Sequence, residues 1–228
     1  MFWTEDSGKK EEYRVPTDIV DMSFSINCKM LPLEHAHELS VALLASLPWV
    51  KEEADAGIHL IHGAADGNGW FRPDSAASDE LLHLSRRTKL RLRLPHHRLE
   101  DAQALTGITL DIAGYTLEVG KAEVKELSPL PTQFCRYVAM PEELDESAFL
   151  KLAAEEIAAM GIQIRKMMAG KAHQIRLPDM NIPTRSLMIA DLEPEEAVLL
   201  QQRGIGPHRL HGCGLFIPQK GIKPVKQD

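Results

Sequence analysis

The order of predicted strands and helices repeats once along the chain, and this repeat constrains the fold more than any other feature. The first half predicts a strand at 19–30, an amphipathic helix at 33–47, strands at 57–63 and 90–94, a short helix at 99–105 and a hairpin at 109–119. The second half predicts a strand at 134–140, a helix at 145–160, a strand at 184–192, a helix at 193–203 and a last strand at 215–218, with no clear element at 167–176. We interpret both halves as the order βαββαβ, although 167–176 gives no clear element in the second half.

This order is that of the ferredoxin-like plan, so we predict an α+β fold with tandem ferredoxin-like (RNA-recognition-motif-like) domains and a C-terminal glycine-rich loop. The predicted divisions are a flexible leader at 1–16, an N-terminal domain at 17–105 and a C-terminal domain at 106–223, with the loop at 204–214. A chain of 228 residues is long enough for two such domains.

Composition limits the cellular setting. No apolar run approaches the ~18 residues of a membrane span, so no membrane partner is predicted. The charged N-terminus has no secretory h-region. The three cysteines are widely spaced and contain no Cys-x-x-Cys pair, which is typical of a reducing, cytoplasmic compartment rather than of a disulfide framework.

The net charge of −7 hides a cationic stretch. Residues 81–100 contain six Lys or Arg and a single acidic residue. The strand at 90–94 alternates strictly, with leucine on one face and arginine on the other. A local cationic face attracts phosphate whatever the global charge, so we predict that it contacts an RNA stem; the alternative is a solvated strand face. The predicted contacts are Arg86, Arg87, Lys89, Arg91 and Arg93.

A second candidate site lies near the C-terminus, where two Gly-x-Gly pairs bracket five residues. Paired glycines allow a backbone to approach a ligand closely, and the enclosed basic side chains suit phosphate. The segment lacks the third glycine of a dinucleotide fingerprint and the Gly-Lys-Ser/Thr of a P-loop. Zinc binding would need a fourth ligand beside His208, His211 and Cys213, and a plain glycine turn remains the structural alternative. The predicted phosphate or RNA contacts are Gly204, Gly206, His208, Arg209, His211, Gly212 and Gly214.

The glycine segment, together with the repeated order of elements, resembles the CRISPR repeat-processing endoribonucleases, the sixth of the CRISPR-associated protein families. The similarity extends from about residue 18 to 218 and is closest to the branch named for the type I MYXAN subtype. It rests on five segments: Leu31-Pro-Leu-Glu-His35, Gly57-Ile-His59, Gly67-Asn-Gly69, Lys89-Leu-Arg-Leu-Arg-Leu-Pro95 and Gly212-Cys-Gly-Leu-Phe-Ile-Pro218.

The resemblance implies cleavage of hairpin CRISPR repeat RNA without metal or cofactor. In this family the 2′-hydroxyl attacks the adjacent phosphodiester, leaving a cyclic phosphate and a 5′-hydroxyl. It also implies that the product is retained with other CRISPR-associated proteins in an interference complex. The working histidine of relatives lies near the first helix, so His35 is the first candidate for general acid/base and His59 the second. His37 lies about 200° round that helix and is expected to face solvent.

Two other functional classes fit the same sequence. One is an RNA-binding subunit of this fold that does not cleave. The other is a ferredoxin-like protein that binds a metabolite. Cleavage of a repeat hairpin would distinguish the endoribonuclease from the RNA-binding subunit. Failure to bind repeat RNA would favour the metabolite-binding protein.

Overall fold

The computed structural model describes residues 13–63 and 80–219. The predicted leader up to residue 12, the motif at 67–69 and the predicted C-terminal domain beyond 219 lie outside the described residues. Within the described part of the chain, no helix is long and apolar enough to cross a membrane.

The elements of the first half are β1 (Ile19–Asn27), β2 (Met30–Pro32), α1 (Ala36–Ser46), β3 (Gly57–His59), β4 (Leu81–His83), β5 (Lys89–Pro95), α2 (Leu99–Ala102), β6 (Thr109–Ile112) and β7 (Tyr115–Glu126). They form a five-stranded antiparallel sheet in the order β3-β5-β1-β7-β6, with β2 and β4 as a separate pair. Helix α1 packs its buried leucines, Leu39 and Leu43, on the face of the sheet that carries Leu90 and Leu92.

The predicted boundary after Leu105 does not coincide with the division of strands between sheets. The hairpin β6–β7 was expected at the start of the C-terminal domain, but β7 pairs along most of its length with β1. The sequence predicted only a short hairpin, and the second half of β7, which was not predicted, is mostly exposed. Residues 109–126 therefore belong to the first sheet, and the chain passes to the second half at Leu127–Thr132.

The elements of the second half are β8 (Gln133–Ala139), α3 (Glu146–Ala159), β9 (Lys166–Arg176), β10 (Asn181–Ala190), α4 (Pro194–Arg203) and β11 (Phe216–Pro218). They form a four-stranded antiparallel sheet in the order β11-β8-β10-β9. The side chain of Asp145 caps α3 by accepting a 2.8 Å hydrogen bond from the N–H of Ala148, and Glu193 and Glu196 form a capping box at the start of α4. Both helices pack on the sheet around Phe149 and Leu187.

Strand β9 occupies the stretch in which the sequence showed no clear element. It is an edge strand with a single fully buried side chain, Ile175. A mostly exposed edge strand has little apolar alternation, so the local sequence pattern does not predict β9. Its hydrogen-bonded pairing with β10 stabilises it as a strand.

The two halves meet at a small apolar cluster that joins α1 to the second sheet. Ala36 at the start of α1 packs with Tyr137 and Ala139 of β8 and with Cys213 of the glycine-rich loop. A second contact joins Ile19 of β1 to α4. The fold is thus a mixed α/β arrangement of antiparallel sheets, with α1, the inner strands and the glycine-rich loop brought to one junction.

Candidate functional site

The glycine-rich loop folds tightly on itself between α4 and β11. Gly204 and Gly214 both have positive φ angles, +63° and +69°. A Cβ on Gly204 would collide with the carbonyl oxygen of Gly214, and a Cβ on Gly214 with that of Ile205. The N–H of Gly214 donates a 2.8 Å hydrogen bond to the carbonyl of Tyr137, which ties the loop to β8. The close backbone approaches at these two glycines are therefore made to the protein itself.

The loop places two histidines against the first helix. His208 has a left-handed backbone (φ +67°) and precedes a single 3₁₀ turn, Arg209–His211. The ring of His211 lies parallel to that of His37 of α1, with centroids 6.4 Å apart, and 6.1 Å from the ring of His208. Sequence reasoning assigned His37 to solvent; the loop covers that side of the helix. We call His37, His208 and His211 the histidine cluster.

Burial lowers the pKa of His211 below its ordinary value, and the neighbouring His208 and His37 lower it further. His211 is therefore neutral at pH 7 and able to accept a proton. Its neighbour Cys213 is fully buried in the apolar cluster, and burial raises the pKa of its thiol. Among the described residues, no three His, Cys, Asp or Glu side chains form a group that could hold a metal ion.

On the other side of the loop lies a cavity of about 240 Å³, which we call the junction cavity. Four of its lining residues are cations: Arg87, Lys89, Arg91 and Arg136. No acidic side chain is among the described residues that line it. The remaining lining residues are His59, Leu60, His62, Thr88, Tyr137, Gly212, Leu215 and Ile217.

Three of the five predicted cationic residues of the first half, Arg87, Lys89 and Arg91, line this cavity. Arg86 and Arg87 are exposed in the turn before β5. Lys89 forms a 3.1 Å ion pair with Glu123, and the Nε of Arg91 donates a 3.3 Å hydrogen bond to Ser23 Oγ. Arg86, Arg87 and Arg91 keep positive charge available at the surface, whereas Glu123 partly neutralises the charge of Lys89.

Arg93 departs from this pattern, because its side chain is 0% exposed. Its Nε and Nη2 donate hydrogen bonds of 2.9 and 3.1 Å to the two carboxylate oxygens of Asp21, and its Nη1 donates one of 2.7 Å to the carbonyl of Gln201 at the end of α4. The structure therefore corrects the predicted RNA contact of Arg93. The residue continues the alternation of β5, but α4 covers this end of the strand.

His59 lines the junction cavity next to the same buried pair. Its Nε2 lies 3.6 Å from Asp21 Oδ1, longer than a hydrogen bond. Burial lowers the pKa of His59 although Asp21 opposes the effect. Burial alone would raise the pKa of Asp21, but Arg93 and His59 outweigh it and hold the carboxyl pKa well below its usual range.

His35, the first candidate for proton transfer, is 3% exposed. Its Nδ1 lies 2.9 Å from the carbonyl of Pro32, and its Nε2 accepts a 3.2 Å hydrogen bond from the N–H of Ile61. These contacts assign the ring proton to Nδ1 and engage both nitrogens with backbone groups. The geometry thus gives His35 a structural task, which is to hold the start of α1 beside the end of β3.

Arg209 was also expected to contact phosphate. Its guanidinium instead donates hydrogen bonds to backbone carbonyls on both sides of the junction. Two belong to Asp55 and Ala56, at 2.9 and 3.2 Å, and two to Gln202 and Arg203 at the end of α4. Burial, followed by the nearby charge of Arg93, lowers its pKa to about 10, so it stays charged at pH 7. The structure therefore corrects this expectation: Arg209 fastens the loop to both halves and neutralises the C-terminal end of the α4 dipole.

Comparison with known proteins identifies the group to which the chain is related. The family model described as Cas6 Crispr matches residues 20–221. The chain belongs to the Cas6 family. Among its relatives is the CRISPR-associated endonuclease Cas6 of Myxococcus xanthus (strain DK1622), which is 31% identical over 199 residues, covering 87% of this chain and 81% of the relative.

Solved structures share the fold of this Cas6-family chain. One, described as CRISPR associated protein Cas6, has a TM-score of 0.60 at 11% identity and covers 89% of this chain and 100% of its own. Another, described as a RAMP protein binding different RNA substrates, has a TM-score of 0.61 at 13% identity, with 87% and 98% covered. At such low identities the likeness establishes the fold alone.

Sequence reasoning missed the site residues of this Cas6-family chain that come from β8 and from the end of β3. Arg136 and Tyr137 belong to a strand that was interpreted only as structural, and His62 was placed on the predicted strand at 57–63 without a functional role. The Tyr137 ring lies 6.1 Å from that of His62 and 5.8 Å from that of His173. The one available signal was Arg136 itself, a charge within an otherwise apolar strand.

Proposed function

We propose that this chain is an endoribonuclease that cleaves CRISPR repeat RNA into mature guide RNA. One observation carries the proposal: the glycine-rich loop of a Cas6-family fold has the histidine cluster on one side and a cavity with four cations on the other. Groups that transfer protons thus lie next to groups that bind phosphate. Membership of the Cas6 family, and a curated relative named as an endonuclease, support the same conclusion.

The proposed reaction is metal-independent transesterification. The 2′-hydroxyl oxygen forms a bond to the adjacent phosphorus while the bond from phosphorus to the 5′-oxygen breaks. A general base takes the proton of the 2′-hydroxyl, and a general acid gives one to the leaving 5′-oxygen. The products are a 2′,3′-cyclic phosphate and a 5′-hydroxyl, and neither step needs more than proton transfer and charge stabilisation.

Within the histidine cluster, we assign the base to His211, whose lowered pKa leaves it neutral at pH 7. We assign the acid to His37. Their ring centroids are 6.4 Å apart, about twice the reach of one hydrogen bond, so both rings can contact the oxygens of one phosphate. His208 completes the cluster. The earlier candidate His35 is replaced because backbone groups occupy both of its nitrogens, whereas His59 stays a candidate on the cavity side.

The RNA would lie across the junction. We propose that Arg86, Arg87, Lys89 and Arg91 contact its phosphates together with Arg136, and that the glycine-rich loop bounds the cleavage point. Two arrangements of strands support tandem ferredoxin-like domains: β11-β8-β10-β9 in the second half and β3-β5-β1-β7 in the first. We also propose, as the resemblance to the repeat-processing endoribonucleases implies, that the product is retained with other CRISPR-associated proteins in an interference complex.

The decisive experiment incubates the protein with a hairpin repeat RNA in EDTA. A single cut is expected, with a cyclic phosphate on the upstream fragment, and no cut when the nucleotide 5′ of that site is in its deoxy form. Cleavage of the deoxy substrate would refute the 2′-hydroxyl mechanism. Binding without cleavage would indicate an RNA-binding subunit, and no binding would indicate a different class of ligand.

Histidine variants test the assignment within the site. His37→Ala and His211→Ala should each lower the single-turnover rate by about 10²–10⁴, the usual contribution of a general acid or base. His96→Ala is the matched control, because that side chain is exposed and outside the junction. A His37→Ala or His211→Ala protein that is folded and as fast as wild type would remove that residue from the mechanism.

A further inference from the structure

We propose that the junction cavity binds one unpaired nucleotide of the RNA, turned out of the strand next to the cleavage point. The inference rests on the proposed endoribonuclease function and adds to it a site for a single base and its phosphate. It starts from the size, the charge and the mixed lining of the cavity.

The size of the cavity limits what can enter. Its volume of about 240 Å³ lies below the ~300–1,000 Å³ of sites for drug-sized ligands. A double helix has no access to such a space, and several nucleotides cannot share it. His59, which lines the cavity, lies beside the buried Asp21–Arg93 pair. The occupant is therefore a single small unit.

The charge of the cavity selects an anion. Arg87, Lys89, Arg91 and Arg136 line it, with no acidic side chain among its described lining residues. Glu123, which is not a lining residue, pairs with Lys89, so the three arginines supply most of the positive charge. Ser23 holds the guanidinium of Arg91 by a hydrogen bond to Nε, which leaves the terminal nitrogens of that group for a ligand. Planar guanidinium groups bind phosphate oxygens through two parallel hydrogen bonds.

A phosphate alone does not account for the rest of the lining. Leu60, Leu215 and Ile217 provide an apolar wall, and His59 and His62 provide imidazole rings. Bases that leave an RNA strand are held by stacking on aromatic, imidazole or guanidinium planes and by contacts to their edges. Apolar and planar groups beside four cations match a nucleotide, which has a flat base attached to an anion.

The position of the cavity connects this nucleotide with catalysis. Gly212 lines the cavity, and its neighbour His211 belongs to the histidine cluster. A nucleotide held there would fix the register of the strand at the loop, because its own phosphate is joined to the next one along the chain. The cavity would thus determine which phosphodiester reaches the histidines.

The first arm of the test uses the full-length protein without repeat RNA. Titration with nucleoside 5′-monophosphates, followed by NMR or calorimetry, is compared with titration with inorganic phosphate. We expect at least one monophosphate to bind at least about tenfold more tightly than phosphate, the effect of one stacked base. Arg136→Gln should weaken this binding at least about tenfold, whereas Arg176→Gln, an exposed cation on β9, should not change it. Monophosphates that bind no better than phosphate, or an unaffected Arg136→Gln, would overturn the proposal.

The second arm uses repeat RNAs in which each unpaired nucleotide near the cut is replaced in turn by an abasic one. One position should lose about tenfold in affinity with the wild-type protein and much less with Arg136→Gln. Equal losses at every position, or the same loss in both proteins, would contradict the site. If the wild-type protein neither binds nor cleaves repeat RNA, the proposed function fails, but the mononucleotide titration still decides the cavity.

Discussion

Replacing Arg93 with Met tests whether this residue is a buried charge that stabilises the fold rather than an RNA contact. The guanidinium makes two hydrogen bonds to the Asp21 carboxylate and one to the carbonyl of Gln201, with no exposed surface. Met keeps most of the apolar volume but leaves the Asp21 carboxylate buried without its main partner. Removal of one member of a buried pair costs about 3–5 kcal/mol in the free energy of unfolding.

This loss corresponds to a fall of about 6–20 °C in Tm for a chain of this length. The assay is urea unfolding followed by circular dichroism, with the m-value checked for constancy. Arg91→Met is the matched control, because Arg91 occupies the next position on the same face of β5 but is only half buried; it should lose about 1 kcal/mol or less.

A double variant tests whether the cost arises from the orphaned carboxylate. Asp21→Asn combined with Arg93→Met removes both charges. The double variant should therefore lose less free energy of unfolding than the two single variants lose together. The reasoning is refuted if Arg93→Met loses less than about 1 kcal/mol, or if the two losses simply add.

Three further results are expected. Gly214→Ala should be at least about 1 kcal/mol less stable to urea than Gly161→Ala, since both glycines have positive φ but only Gly214 would collide with a neighbour; equal losses would contradict the packing argument. Cleavage should decline in acid with a midpoint below pH 6.5, because His211 has a lowered pKa and loses its role as a base when protonated; a midpoint above 6.5 in single-turnover rates would exclude it. Arg91→Met should reduce the slope of log affinity for repeat RNA against log salt by about 1, while Arg176→Met leaves it unchanged; filter binding that shows the same slope for both would rule out a phosphate contact by Arg91.

Much of the secondary structure was predictable because it depends on neighbours in sequence. The alternation of Leu90, Leu92 and Leu94 predicted β5, and Glu193 with Glu196 marked the start of α4. Two of the poorly predicted regions, β9 and the long part of β7, are mostly exposed and depend on pairing with distant strands. The local sequence pattern gives little information about secondary structure where few side chains are buried.

The candidate site was predictable as a region but not in its individual residues. The glycine-rich loop and the cationic strand do meet at the junction, as the candidate residues suggested. Within that region, however, His35 and His37 exchanged their expected surroundings. His37 faces the loop and lies near His211, whereas His35 is enclosed by backbone groups. A helical projection cannot foresee this, because the covering loop lies about 170 residues further along the chain.

Sequence by itself determined most of the elements of this protein and its family, since hydrophobic period, caps and positive-φ glycines act over a few residues. Tertiary structure alone decided which charges are available for chemistry. Arg91 and Arg93 are equivalent in the pattern of β5, yet Arg93 is covered by Asp21 and by Gln201, which is 108 residues away. The physical reason is that burial and desolvation depend on everything packed nearby, and these set the pKa and the accessibility of a side chain.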